Sequence, residues 1–154
     1  IAALGVETVW LGEGAASASI ISPMSYAEFV KPYAKIVTDA VAAKGITCFM
    51  HVCGDINPSL KEIIATGVPA LDVDHLVSMQ SVRDVAGAYL CIKGNLNPVE
   101  LLTATTAKAE ILCEAALRST TAPLILGTGC LVARDTPKEN IDAMVTASKK
   151  IASE

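Results

Sequence analysis

The sequence has 154 residues, 52% of them hydrophobic and 18% charged, with a formal net charge of −4 and a pI near 5.2. That length suits one ordinary domain, able to bury roughly 68–70% of its unfolded surface. No apolar run approaches the roughly 18 residues that span a bilayer, and an acidic chain without a Lys/Arg cluster gives no support for nucleic-acid binding.

Five cysteines, odd in number and irregularly spaced, argue against a disulfide framework and for a reducing, cytoplasmic compartment. Cys48, Cys91 and Cys113 lie inside apolar runs or a helical pattern and read as small core residues. The opening Ile1-Ala2-Ala3-Leu4-Gly5 has neither Met nor a basic segment, so it does not read as a signal peptide. It reads as the last turn of a helix from a longer chain.

The recurring theme is a short β-rich run, a loop and a helix start. Residues 6–11 form the first expected strand, with Trp10 in the core. Ser22-Pro23 opens a helix to about residue 43, since Ser suits the cap and Pro the first helical position. Pro32 inside that pattern predicts a kink or break near Lys31. A second strand follows over 46–52, then a helix opened by Asn57-Pro58 and stopped at Gly67. The third strand covers 70–73 and runs into Asp72-Val73-Asp74-His75, where two carboxylates share a face and His75 reads as a loop histidine. A short helix from Ser78 ends near Gly87, and the fourth strand covers 89–93, closed by Gly94. Asn97-Pro98-Val99-Glu100 carries a reciprocal cap pattern, and a longer helix spans 106 to about 118. The fifth strand covers 123–127. Thr136-Pro137-Lys138-Glu139 repeats the cap pattern before a helix to about 150. Strands alternating with helices in this way predict an α/β fold of five βα units with a parallel sheet. In such folds functional residues gather where the strands' C-terminal ends meet their loops.

One such strand end carries His51-Val52-Cys53-Gly54. Residues two apart on a strand point the same way, so His51 and Cys53 project side by side. An imidazole and a thiol make half a zinc site. Cys130, in Gly127-Thr128-Gly129-Cys130 after the fifth strand, occupies an equivalent position. A lone His-x-Cys is more often a structural accident, a core histidine beside an inert thiol; the second cysteine at an equivalent strand end raises the expectation that His51, Cys53 and Cys130 converge on one zinc ion. Three protein ligands leave a fourth position open, the catalytic pattern. Glu13 follows the first strand at the same edge and is a candidate for that position or for a catalytic role. Asp72 and Asn95 are candidates for contacting substrate, and Asp72 or Asp74 for holding the His51 ring. Dinucleotide and P-loop functions are disfavoured, because no Gly-x-Gly-x-x-Gly opens a helix after a strand and no Gly-Lys-Ser/Thr occurs.

These residues resemble the uroporphyrinogen decarboxylase superfamily, in particular its methylcobamide:coenzyme M methyltransferase branch. Gly94-Asn95-Leu96-Asn97-Pro98 is similar to the superfamily's Gly-Asn-Leu-Asp-Pro turn. Gly129-Cys130, with Thr136-Pro137-Lys138-Glu139-Asn140, resembles its Gly-Cys…Thr-Pro-x-Glu-Asn signature. His51-x-Cys53 with Cys130 is similar to the branch's zinc motif, and Glu13 stands where the family more often has Asp. Gly14-Ala15-Ala16 replaces a bulkier loop. The resemblance implies a (β/α)8 TIM barrel, a fold that takes about 250 residues. Residues 1–154 would then be a single-domain fragment, the C-terminal five βα units of an incomplete barrel. It further implies zinc-dependent transfer of a methyl group to a thiol such as coenzyme M. The donor would be a methylated corrinoid held by a carrier protein. A porphyrinogen decarboxylase, which needs no metal, and an inactive corrinoid-binding module are the alternatives. An open partial barrel also predicts self-association through its edges.

Overall fold

The computed structural model describes residues 2–121 and 123–154. Its strands are β1 (Thr8–Gly12), β2 (Thr47–Val52), β3 (Ala70–Val73), β4 (Cys91–Leu96) and β5 (Leu124–Thr128). They form one sheet in chain order, and each neighbouring pair is parallel. The crossovers carry α1 (Pro23–Ser25) and α2 (Lys31–Ala42), then α3 (Leu60–Ile64), α4 (Met79–Ala86), and the pair α5 (Pro98–Thr103) and α6 (Thr106–Leu117). After β5 the chain ends in α7 (Lys138–Ala152). The five expected βα units are thus all present.

Alternation along the strands sorts the side chains into two faces. Cys48, Met50, Val52, Leu71, Val73 and Ile92 pack against Tyr26, Ala34, Leu60, Ile63 and Val82 from the helices, and all of them are buried. Each large aliphatic side chain in that layer contributes about 1.5–3 kcal/mol. The register lines up Gly12, His51, Asp72, Lys93 and Ile125 across the five strands. Paired residues share a face, so this row lies on the side away from the helices, where the candidate ligands stand.

Some local features depart from expectation, and the expected break near Pro32 takes a specific form. β4 runs on through Gly94 to Leu96. Gly94 sits so close to β3 that a Cβ would lie 2.7 Å from the Val73 carbonyl oxygen, so its lack of a side chain continues the strand where it was expected to close it. The break near Pro32 takes the form of a π turn, Tyr26–Val30, in which the Lys31 N–H donates to the Tyr26 carbonyl. Pro32 cannot donate, and its ring crowds the preceding turn, so a widened turn accommodates it. Thr136 does not cap α7; its hydroxyl donates to the Ala133 carbonyl instead. Ser22 and Asn97 do accept from the first turns of their helices. At the start of the chain Ala2–Leu4 form one 3-10 turn, and Ile1 lies outside the described residues.

Candidate metal centre

β2 delivers His51 and the loop after it delivers Cys53, with His51 Nε2 3.0 Å from Cys53 Sγ. Cys130 arrives from the loop after β5. That loop is seated by the Gly129 N–H, which donates to the Leu96 carbonyl at 2.7 Å. Gly129 passes so tightly against Asp74 and His75 that a Cβ would strike the His75 backbone nitrogen. The ligand atoms of His51, Cys53 and Cys130 lie within 4.8 Å of one another. Atoms bound to one ion at about 2.0–2.3 Å sit roughly 3–4 Å apart, so small rotations suffice to close the set.

The His51 ring is already set for a metal. Its Nδ1 lies 3.1 Å from the Asp72 backbone oxygen, which can only accept. Nδ1 therefore carries the proton of the neutral ring, and Nε2 presents its lone pair toward the two sulfurs. The Cys53 thiol is pushed above its ordinary value, first by burial and then by Cys130, Asp74 and Asp72. Burial and the negative neighbours hold the proton on the Cys53 thiol until a cation enters. One imidazole and two thiols are a donor set suited to zinc. The residues present therefore fit the metal that the sequence implied.

The surroundings extend the site. Asp72, 5% exposed, places Oδ2 3.7 Å from His51 Nδ1 and 2.8 Å from Lys93 Nζ. Asp74 accepts from the Gly54 and Leu76 N–H groups and pairs with His75 at 2.8 Å. It ties the Cys53 loop to the loop that Gly129 touches. Trp10 corrects the expectation of a core residue: it is 59% exposed and stacks on the His51 ring at 5.5 Å and 18°. The reason is its position on the face away from the helices, set by its pairing with Phe49. Trp10, His51, Cys53, Asp72, Lys93 and Cys130 share a cavity of about 580 Å³ whose wall is completed by Thr128, Leu131 and Val132.

Two candidates lie outside that cavity. The Glu13 backbone N–H donates to the His51 carbonyl at 2.7 Å, but its carboxylate accepts from the Tyr26 hydroxyl at 3.1 Å and lines a separate hollow of about 490 Å³. Burial raises its pKa, and the Tyr26 bond partly offsets this. Asn95 donates to the Val77 carbonyl at 2.6 Å and lines another hollow beside His75 and Ser78. Lys93 was missed in the sequence, although a lysine inside an apolar strand was a visible signal.

The uroporphyrinogen decarboxylase (URO-D) family pattern matches residues 1–151. The chain belongs to the uroporphyrinogen decarboxylase family. Among its relatives in that family, a methylated-thiol–coenzyme M methyltransferase of Methanosarcina mazei is 33% identical over 97% of this chain and 39% of its own length. The methylcobamide:CoM methyltransferase MtbA of Methanosarcina acetivorans is 29% identical over 94% of this chain and 42% of its own. Proteins named uroporphyrinogen decarboxylase match as well. A solved methyltransferase structure from Methanosarcina mazei superposes with a TM-score of 0.84 at 26% identity, covering 96% of this chain and 43% of that one. This family member thus spans about two fifths of the length of those relatives, and its five parallel βα units are part of a TIM barrel.

Proposed function

We propose that this chain carries the metal centre of a methyltransferase that moves a methyl group from a methylated corrinoid, held by a partner protein, to a small thiol such as coenzyme M. Residues 1–154 are then one domain fragment, the C-terminal part of the barrel. The observation that carries the reading is the convergence of His51, Cys53 and Cys130 within 4.8 Å. A decarboxylase reading leaves that convergence without a purpose. The names of the relatives supply the donor and acceptor classes.

His51, Cys53 and Cys130 hold the metal, and the Asp72 carbonyl fixes the His51 ring. Zinc bound there supplies a Lewis acid that takes the acceptor sulfur and makes it a thiolate near neutral pH. Cys53 and Cys130 offset the dication's charge and so favour an electron-rich acceptor sulfur. Trp10, Leu131 and Val132 give the cavity an exposed apolar rim, a suitable wall for a corrinoid ring presented from outside. Asp72 meets the substrate side of the cavity. Glu13 and Asn95 stand at neighbouring loops, where the thiol's entry would bring them into play. Five free thiols accord with a cytoplasmic setting. No helix among the described residues is long and apolar enough to cross a membrane.

The test is metal content and proton release. The protein should bind about one zinc, and adding thiol to the loaded protein should release about one proton per site near neutral pH. Cys130→Ser should weaken zinc binding more than ~100-fold and abolish proton release and methyl transfer together. Equal methyl transfer by the metal-free protein would overturn the reading.

A further inference from the structure

Lys93 stands in the interior of β4, on the face that carries the metal centre. The register places it two strands from His51, a lateral distance of roughly 10 Å between backbones. Its side chain leans back toward the centre: Nζ lies 2.8 Å from Asp72 Oδ2, and both residues line the 580 Å³ cavity of His51, Cys53 and Cys130. The stem lies over Gly127, where a Cβ would come 3.1 Å from both Cε and Nζ. The glycine leaves the room through which the lysine reaches. Among the described residues Lys93 is the one cation lining that cavity.

The pair it makes with Asp72 is incomplete. An ammonium has three N–H donors. Asp72 Oδ2 is its ion-pair partner at 2.8 Å, while Asp72 Oδ1 is buried without a partner. Charges withdrawn from water need their remaining donors and acceptors filled. The Lys93 side chain is 32% exposed and lines the cavity, so its ammonium is open to a group entering there. An anionic group entering the cavity would fill its remaining donors by charge-assisted hydrogen bonds. Asp72 then serves to aim the ammonium.

We propose that Lys93 is the specificity-determining residue of this cavity, receiving the anionic group of a short thiol whose sulfur occupies the open metal position. The assignment rests on the methyl-transfer reading and gives its anionic acceptor a counter-charge in this chain, Lys93, which would hold a carboxylate or sulfonate a few bonds from sulfur. A neutral thiol reaches the metal but leaves the Lys93 donors unfilled, the kind of mismatch that discriminates between substrates.

Calorimetric titration of the zinc-loaded protein with 2-mercaptoethanesulfonate, 3-mercaptopropionate and 2-mercaptoethanol tests it. Wild type should bind the two anionic thiols about 10- to 100-fold more tightly than the neutral one. Lys93→Met should bring all three to similar affinity, and Lys93→Arg should keep the preference. Because Lys93→Met strands the Asp72 carboxylate, the double variant Asp72→Asn with Lys93→Met is run beside it and should show the same loss. A preference that survives in either Lys93→Met protein overturns the assignment, as does its absence from wild type. If zinc-loaded wild type binds no thiol of any kind, the methyl-transfer reading itself falls and takes the assignment with it.

Discussion

Asp72 divides its work between backbone and side chain. The carbonyl accepts the hydrogen bond from His51 Nδ1–H, and the carboxylate holds Lys93. Glu13 gives a sharper residue-scale test, because its neighbours on the loop are known. Burial raises its pKa above the ordinary carboxylate value, and the Tyr26 hydroxyl pulls it partway back. The folded chain therefore binds this proton more tightly than the unfolded chain. The stabilisation is complete below the ordinary carboxylate range and is lost as pH rises through the raised folded value. Tyr26→Phe removes the donor, so the folded pKa climbs further and the loss extends to higher pH. Glu13→Gln removes the titration. Urea midpoints measured from roughly pH 4 to pH 8 should fall with pH in wild type, fall over a wider range in Tyr26→Phe, and flatten in Glu13→Gln. A Glu13→Gln profile as steep as wild type would dismiss this account. At this scale the sequence disclosed the cluster of candidate ligands, because strand alternation alone pairs His51 with Cys53 and a matching strand end supplies Cys130. Trp10 was illegible: Val9 and Leu11 on either side are also apolar, so no polar alternation marked its face. Lys93 was passed over because its strand was expected to end on it, which took the lysine for a strand-end residue in spite of the apolar run around it.

Between elements, one side chain ties α4 to the strands beside it. Arg83, 7% exposed, donates through Nη1 to the Gly87 and Leu90 carbonyls at 2.7 and 2.8 Å. Through Nη2 it donates to Thr121 and Pro123 at 3.0 and 2.9 Å. The guanidinium thus joins the end of α4, the entry to β4 and the entry to β5, using the fork that only arginine offers. Arg83→Met should destabilise the fold by about 3 kcal/mol or more, since it leaves buried carbonyls unpaired. Arg83→Lys should recover only part of this, because one ammonium cannot reach both pairs. Equal denaturation midpoints for wild type and Arg83→Met would remove Arg83 from this role. The order and type of the elements were legible, since each strand is a short apolar run punctuated by Gly or Pro. Their ends were less so. Asn57 was expected to cap a helix, yet the chain there makes a 3-10 turn, Asn57–Ser59, and Asn57 bonds to Asp55 instead. Local caps are chosen by what the loop before them can reach, and that is a tertiary fact.

For the whole molecule, the outer edges of β1 and β5 have no neighbouring strand among the described residues. Unpaired edges of this kind are templates for another chain. The exposed apolar groups lie close by in the chain: Met24, Phe29, Tyr33 and Ile36 follow β1, while Ile125 lies on β5 and Leu131 and Val132 follow it. The 154-residue chain by itself should therefore self-associate, with a sedimentation coefficient that rises with concentration. Thr8→Lys places a charge on the open edge of β1, on the face away from the helices, and should shift the distribution toward monomer. Concentration-independent sedimentation of wild type as a monomer would refute the edge argument. The proposed metal centre lies apart from that pairing. Its ligands come from the ends of β2 and β5 and are held by Asp72, Leu96 and the Asp74–His75 backbone, all within the five units. Associated and monomeric fractions should for that reason carry the same zinc per chain. A metal that followed only the associated fraction would mean that a second copy completes the site.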